Sequence, residues 1–495
     1  MLSNIEQTRH RVSAVTGAEE KSRLGQYLTP LTIARFMVSL FSASSFEHCR
    51  LLEPGAGIGS LAAAFLERCT TGDFGFHHVT VDAFEIDTKL TPDLERSLAE
   101  YAQHPTIIPR VYAVDFIEAA VNSLSGSFFF ETLPPYSHAI LNPPYKKMRS
   151  NSYHRTALRS VGIETVNLYS AFTALALELL APQGQLVAII PRSFCNGLYY
   201  KPFRNFILER SAIRHIHLFT ARNKAFKDDN VLQENVIIRL DRGGQQSDVV
   251  VSTSTDGRFG DLLHQTHAFD RIVSPDDQEQ CIHIPTSFDR NLIDRSMSIR
   301  YSLENIGVQV STGPVVDFRL RPHLRPMPDQ NSVPLLYPGH FVQQKTEWPK
   351  RGFRKANAIQ WNGETEKWLY PIGFYTVVRR FTTKEEKRRV VASVVNPHDF
   401  PHMTMLGFEN HLNVFHEHKQ GLPEALAYGL TVYLNSTALD DYLRGFNGHT
   451  QVNATDLRLL KYPSREALIS VGKWAMHQGE LTQDMIDSRL EILAS

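Results

Sequence analysis

An α/β fold with a mostly parallel sheet, helices on both of its faces and a separate second domain is what this sequence predicts, on three observations. Up to about residue 242, short apolar runs alternate with helix-compatible stretches such as Leu61–Arg68 and Leu168–Leu180, which is the strand–helix alternation of a parallel sheet. A length of 495 residues exceeds one ordinary domain, so two or three are expected. The text then changes character twice. Residues 243–300 are rich in Gly, Ser, Asp and Gln and read as a connector. Beyond Tyr301 come short β-like pieces, many Pro and aromatic residues, and a basic run. The expected division is therefore an N-terminal helical extension over 1–20, an α/β domain over 21–242, the connector over 243–300, and a second domain over 301–495.

The runs carry their chemistry at their carboxyl ends, where ligands bind in such sheets. Leu51–Leu52 leads into Glu53-Pro-Gly-Ala-Gly-Ile-Gly-Ser60, in which Gly55, Gly57 and Gly59 let the backbone approach a ligand at a strand-to-helix turn. With serine at position 60 the spacing is GxGxG, not the GxGxxG of dinucleotide dehydrogenases. Val79–Ile86 closes on Glu85-Ile-Asp87, placed for a carboxylate to accept from both hydroxyls of a ribose. Ile107–Phe116 closes on Asp115-Phe116, a carboxylate for an adenine amine and a ring to pack on the base. Ala139–Leu141 ends in Asn142-Pro-Pro-Tyr145, a tetrapeptide that chance supplies on the order of once in several hundred chains of this size. Singly, these are a tight turn, surface acids and a core phenylalanine; at four successive strand ends they predict one site. Leu186–Ile190, Ile213–Phe219 and Val236–Leu240 complete seven runs. Near the C-terminus, Asn453-Ala-Thr-Asp456 predicts a helix start with Asn453 as N-cap.

Asn142-Pro143-Pro144-Tyr145 resembles the catalytic NPPY motif of DNA adenine amino-methyltransferases, and the resemblance runs along most of the chain. Gly25-Gln-Tyr-Leu-Thr-Pro30, with Tyr27, Thr29 and Pro30, resembles the segment that closes over the methionine moiety of the cofactor. Glu53 to Gly59, Glu85, and Asp115 with Phe116 resemble the cofactor motifs. Asn167-Leu-Tyr-Ser-Ala-Phe172 is similar to the stretch whose phenylalanine lies against the cofactor adenine. Phe226 falls where the family carries an aromatic that stacks on the flipped target base. The motif order resembles the gamma class, and the C-terminal half (VQVSTGPVVDFR, VVRRFTTKEEKRRVV, ENHLNVFH, GHTQVNATDLRLLKYPS) looks like the PstI/BsuBI-like branch of restriction–modification methyltransferases.

That resemblance implies a class I S-adenosylmethionine-dependent methyltransferase fold, Rossmann-like with a seven-stranded mostly parallel sheet, and a separate C-terminal α+β target-recognition domain. It implies S-adenosyl-L-methionine as cofactor, double-stranded DNA as substrate, CTGCAG as recognition sequence, a separate cognate endonuclease, and a monomer or dimer. In it, the Asn142 and Pro143 carbonyls accept the two N–H bonds of the adenine amine, while Tyr145 and Phe226 stack on the extruded base.

Composition agrees with a soluble globular protein: 42% hydrophobic, 21% charged, and no apolar stretch of eighteen residues such as a membrane span needs. The polar N-terminus lacks a secretory h-region. Cys49, Cys69, Cys195 and Cys281 are scattered without metal-ligand spacing, so a reducing cytoplasmic setting and no metal are expected. The net charge is +0, yet Lys345 to Arg389 holds twelve Lys/Arg against five Asp/Glu. Arg319, Arg321, Lys350, Arg351, Arg354 and Lys355 are the candidates for phosphate contact, since phosphates position and base edges specify. Gln343, Gln344 and Asn447 join the two arginines 319 and 321 as candidate base readers. Methylation of RNA or of protein glutamine through the same NPPY chemistry, or a non-catalytic specificity subunit, are the alternatives. A fused nuclease is disfavoured, because no PD-(D/E)xK pattern appears.

Overall fold

A computed structural model describes residues 2–15, 28–126, 132–220, 234–275, 277–285, 291–342, 345–382, 386–446 and 451–494. The chain divides into two compact units, Met1–Phe288 and Asp289–Ser495.

The first unit is built on a nine-stranded sheet in the order β3-β2-β1-β4-β5-β7-β6-β8-β9. The strands are β1 (His48–Pro54), β2 (His78–Phe84), β3 (Ile107–Tyr112), β4 (Tyr136–Leu141), β5 (Leu180–Pro191), β6 (Ser211–Phe219), β7 (Asn235–Arg242), β8 (Val249–Ser254) and β9 (Leu263–His267). From β3 to β5 every pairing is parallel, whereas β7 runs antiparallel between β5 and β6. Neighbouring residues of one strand enter different cores. Leu52, Leu141 and Ile190 pack with the helices Phe116–Leu124 and Leu168–Leu179. Leu51, Ile140 and Ile189 pack with Leu31–Ser39 and Ser60–Thr70 on the opposite face. A strand covered on both faces reads as a continuous apolar run, which is why these strands were visible in the sequence.

The expected connector differs. Residues 249–267 supply β8, parallel to β6, and β9, antiparallel to β8, so two strands extend the expected seven. Val249 and Val251 bury into the sheet's core, but β9 is an outer, largely exposed strand. Leu-His-Gln-Thr-His therefore needs no apolar alternation and gives none. The N-terminal helix Leu2–Val15 belongs to this unit too, burying Leu2 and Ile5 in the second core.

The second unit is α+β. One antiparallel sheet joins Gln309–Thr312, Leu412–His416, Tyr375–Arg379 and Ala392–Val395; a mixed five-stranded sheet has Ser332–Leu336 at its centre. Its helices include Glu424–Leu434 and Arg465–Met476. The expected start at Asn453 is present, the Asn453 N–H donating to Asp456 Oδ2 at 2.8 Å. Among the described residues no helix is long and apolar enough to cross a membrane.

Candidate functional site

The chain builds β1, β2 and β3 outward in one direction, then returns to place β4 on the other side of β1. That reversal leaves a crevice at the carboxyl ends of β1 and β4, where ligands bind in sheets of this kind.

The glycine turn lines one wall. Gly55 and Ala56 donate their N–H groups to the Phe84 carbonyl at 2.8 and 2.9 Å, which pins the turn to the end of β2. Gly57 has φ +58°, a conformation that favours glycine, and a Cβ there would lie 2.9 Å from Leu28 Cδ2, so that side chain would have to shift. Glu85 holds the turn from the other side: its Oε2 accepts from the Gly57 N–H at 2.8 Å and its Oε1 from the Asp87 N–H at 2.7 Å. Burial raises its pKa against these opposing bonds. A carboxylate has about four acceptor positions, so one at a strand end can serve more than one donor. Glu53 is placed differently from a ligand contact. It is 1% exposed, and its Oε2 accepts from the Ala62 N–H at 3.0 Å, inside the first turn of the helix that begins after Gly59. Burial pushes its carboxyl up to about 8.

At the end of β3, Asp115 caps the helix Phe116–Leu124, Oδ1 accepting from the Ile117 and Glu118 N–H groups. Its Oδ2 lies 3.0 Å from His154 Nε2. Burial acts to raise the Asp115 pKa, but the His154 bond and charge and the two N–H groups outweigh it and the net is lower. The bond to Asp115 raises that of His154. Nothing in the sequence pointed to His154, since the pairing arises only when the segment after Tyr145 folds back towards β3. Phe116 is buried, with its centroid 5.2 Å from that of Phe172. Phe172 is the outer ring: a Cβ on Gly55 would come within 3.5 Å of its Cε1 and 3.9 Å of Pro144 Cδ. Gly55 thus brings the backbone of the turn close to Phe172 and Pro144.

Asn142 follows β4 directly. Its Nδ2 donates to Thr29 Oγ1 at 3.0 Å, and its Oδ1 accepts from the Tyr145 hydroxyl at 3.0 Å. That hydroxyl also lies 3.2 Å from the Ile189 carbonyl. Pro30 precedes the helix Leu31–Ser39, so Thr29 reaches Asn142 from a well-anchored helix start. Beyond the tetrapeptide, the Leu168 N–H donates to the Lys146 carbonyl and the Met148 N–H to the Val166 carbonyl, both at 2.8 Å, which ties the motif to the helix carrying Phe172. The structure therefore brings Thr29, Gly55, Gly57, Glu85, Asp115, Phe172, Asn142, Pro143 and Tyr145 to one sheet edge. Tyr27 and Phe226, like Gln343, Gln344 and Asn447, lie outside the described residues.

The basic residues of the second unit separate into two kinds. Lys350 pairs with Glu347 and Lys355 with Asp317, each at 2.7 Å. Arg319, Arg321, Arg351 and Arg354 are exposed. The end of the basic run, Arg388 and Arg389, is bonded into the fold. Arg389 is 1% exposed, its Nε donating to Thr382, and Arg388 donates to Gln483 and the Ser436 carbonyl. Burial requires such partners, and those of Arg388 come from segments 48 and 95 residues along the chain.

The fold is that of a class I S-adenosylmethionine-dependent methyltransferase. Over 97% of this chain and 77% of its own, the type IIL restriction-modification enzyme MmeI, solved in complex with DNA, shares the architecture at TM-score 0.57 and 10% identity. Residues 134–226 match the family model described as Eco57I restriction-modification methylase. The type II methyltransferase M.BsuBI of Bacillus subtilis is 49% identical over 100% of this chain and 98% of its own length. M.PstI of Providencia stuartii is 39% identical over 98% and 95%. The chain belongs to this family of type II methyltransferases: it is a DNA methyltransferase of the restriction–modification kind, and S-adenosyl-L-methionine is its cofactor.

Proposed function

We propose that the chain is a site-specific adenine-N6 methyltransferase, which protects DNA from a separate endonuclease of the same specificity. The observation that carries this reading is the placement of Asn142-Pro-Pro-Tyr145 at the end of β4, with the Asn142 amide hydrogen-bonded on both sides beside the glycine turn. When bound, S-adenosyl-L-methionine supplies an electrophilic methyl group. Glu85 accepts from its ribose, Asp115 from its adenine amine, and Phe172 covers the ring. The chain's task is then to make a poor nucleophile reactive, because the lone pair of an adenine amine is delocalised into the ring. Asn142 Oδ1 and the Pro143 carbonyl accept the two N–H bonds, which draws density onto nitrogen and aims its lone pair. Acceptors fixed where positive charge develops act by electrostatic preorganisation. The proton leaves after transfer, once the nitrogen is cationic, so Asn142 need not be a base. Extruding the base costs a few kcal/mol, offset by stacking on Tyr145 and on Phe226.

Methylation-aware sequencing of DNA from cells expressing the chain tests the reading. N6-methyladenine at one motif, CTGCAG or another, is expected; modified cytosine alone, or label transferred to RNA or protein and not to DNA, would overturn it.

Arg351 and Arg354, which carry no ion pair among the described residues, are the better phosphate contacts than the neutralised Lys350 and Lys355. Replacing both arginines with glutamine should lower the slope of log affinity against log salt by up to roughly 1.8, at about 0.9 per lost phosphate contact. The lysine pair should change it less. Salt titration of DNA binding decides between them.

A further inference from the structure

We propose that His154 is a positioning residue for cofactor binding, fixing the Asp115 carboxylate oxygen that meets the 6-amino group of the cofactor adenine. This rests on the reading above in which Asp115 accepts from that amine. An ionised carboxylate only accepts hydrogen bonds, at about four positions. Among the described residues, three are taken at Asp115. Two lie on Oδ1, filled by the Ile117 and Glu118 N–H groups at 2.8 and 3.2 Å, and one lies on Oδ2, filled by His154 Nε2 at 3.0 Å. The position left over is on Oδ2, and the Asp115 side chain keeps 20% of its surface exposed. The oxygen open to a ligand is thus the one that His154 holds.

The two oxygens are secured by different means. Oδ1 caps the helix Phe116–Leu124 and stays with its backbone. Oδ2 takes no part in the cap. The last torsion of an aspartate is broad, so with Oδ1 anchored the other oxygen can still swing away from an incoming amine. His154 removes that freedom. It enters from the helix Tyr153–Ser160, which is itself held by Leu158, fully buried in the first core, and by Arg155 and Arg159, both bonded to Glu164. The direction of the bond follows from the partner. Asp115, with a pKa below its ordinary value, has no proton to give at neutral pH, so Nε2 carries the hydrogen whether the imidazole is neutral or charged. The His154 side chain is 32% exposed, so replacing it opens no cavity in the core.

The test is a cycle of proteins against ligands, read by isothermal titration calorimetry. The ligands are S-adenosyl-L-homocysteine and its analogue with hydrogen in place of the 6-amino group. Wild type should prefer the amine by about ten-fold, the scale of one hydrogen bond to a charged group. His154→Ala should weaken S-adenosyl-L-homocysteine by about five- to ten-fold and the analogue by less than about two-fold, because only the amine uses the oxygen that has come loose. His154→Gln carries a donor near the position of Nε2 and should bring S-adenosyl-L-homocysteine back to within about three-fold of wild type. Both ligands are compared within each protein, so a variant that folds poorly loses active fraction for both and leaves the comparison intact. Equal weakening of the two ligands by His154→Ala would make His154 a tie between two helices and overturn the proposal. No weakening of either, or a glutamine protein as weak as the alanine one, would overturn it too. If wild type binds the two ligands alike, the role of Asp115 falls first; if wild type discriminates and His154→Ala discriminates as strongly, this inference alone falls.

Discussion

Asn142→Ala should lose methyl transfer by on the order of 10²–10³-fold or more, the scale on which a single preorganised polar group acts in other active sites, while cofactor and DNA affinities stay within a few-fold. The expectation follows from where the side chain sits. In the proposed mechanism its carbonyl is one of two acceptors for the amine, and Pro143, the other, acts through its backbone and survives the substitution. The rest of the site should not collapse. Tyr145 keeps the Ile189 carbonyl 3.2 Å from its hydroxyl, the glycine turn keeps its bonds to Phe84 and Glu85, and Thr29 sits at the start of a helix anchored elsewhere. Single-turnover measurement of labelled methyl transfer, beside fluorescence titration of cofactor, separates the two quantities. A loss of binding equal to the loss of turnover would make Asn142 a structural residue. Wild-type turnover would remove the catalytic role altogether.

What the sequence disclosed and what it concealed both follow from burial. β1, β4 and β5 are covered on both faces, so their apolar runs were legible, and each motif was read at its strand's carboxyl end. The seven expected strands are present in order. β9 was hidden because an outer strand is not obliged to alternate. His154 was hidden because its pairing with Asp115 reaches across the helix Phe116–Leu124 and the strand β4, with no local pattern to announce it. Glu53 read as one of a run of site acids, but a carboxyl that caps the following helix from below looks the same in a sequence as one that faces a ligand. The basic run misled for the converse reason. Charge in a sequence counts residues without their partners, and those of the Arg388 side chain, the Ser436 carbonyl and Gln483, lie 48 and 95 residues later.

In the second unit, Gly472→Ala should be among the most destabilising single substitutions in the chain. The helices Glu424–Leu434 and Arg465–Met476 cross with their backbones in contact. A Cβ at Gly472 would stand 1.6 Å from the Ala425 carbonyl oxygen, and one at Gly429 would stand 1.9 Å from that of Leu468. Two opposing effects must be weighed. Alanine is the better helix former by about 1 kcal/mol, yet the obstacle is backbone on a second helix, not a side chain that can turn away. Separating the helices would also open the core around Leu426, Leu430 and Leu468. Overpacking ordinarily costs about 1–3 kcal/mol, and a main-chain clash belongs at or above the top of that range. Against a typical total of roughly 5–15 kcal/mol, that is enough to leave the unit partly unfolded near physiological temperature. Gly445→Ala is the matched control: it lies in the helix Thr437–Phe446 with nothing within 4 Å of the added methyl, so propensity alone acts and stability should hold or rise by up to about 1 kcal/mol. Thermal unfolding gives the two signs, and hydrogen exchange locates the damage. Protection should fall across Glu424–Met476 in Gly472→Ala while the nine-stranded sheet keeps its own. Equal loss in both units would mean that they unfold as one, and unchanged stability would mean that the two helices do not meet at these glycines.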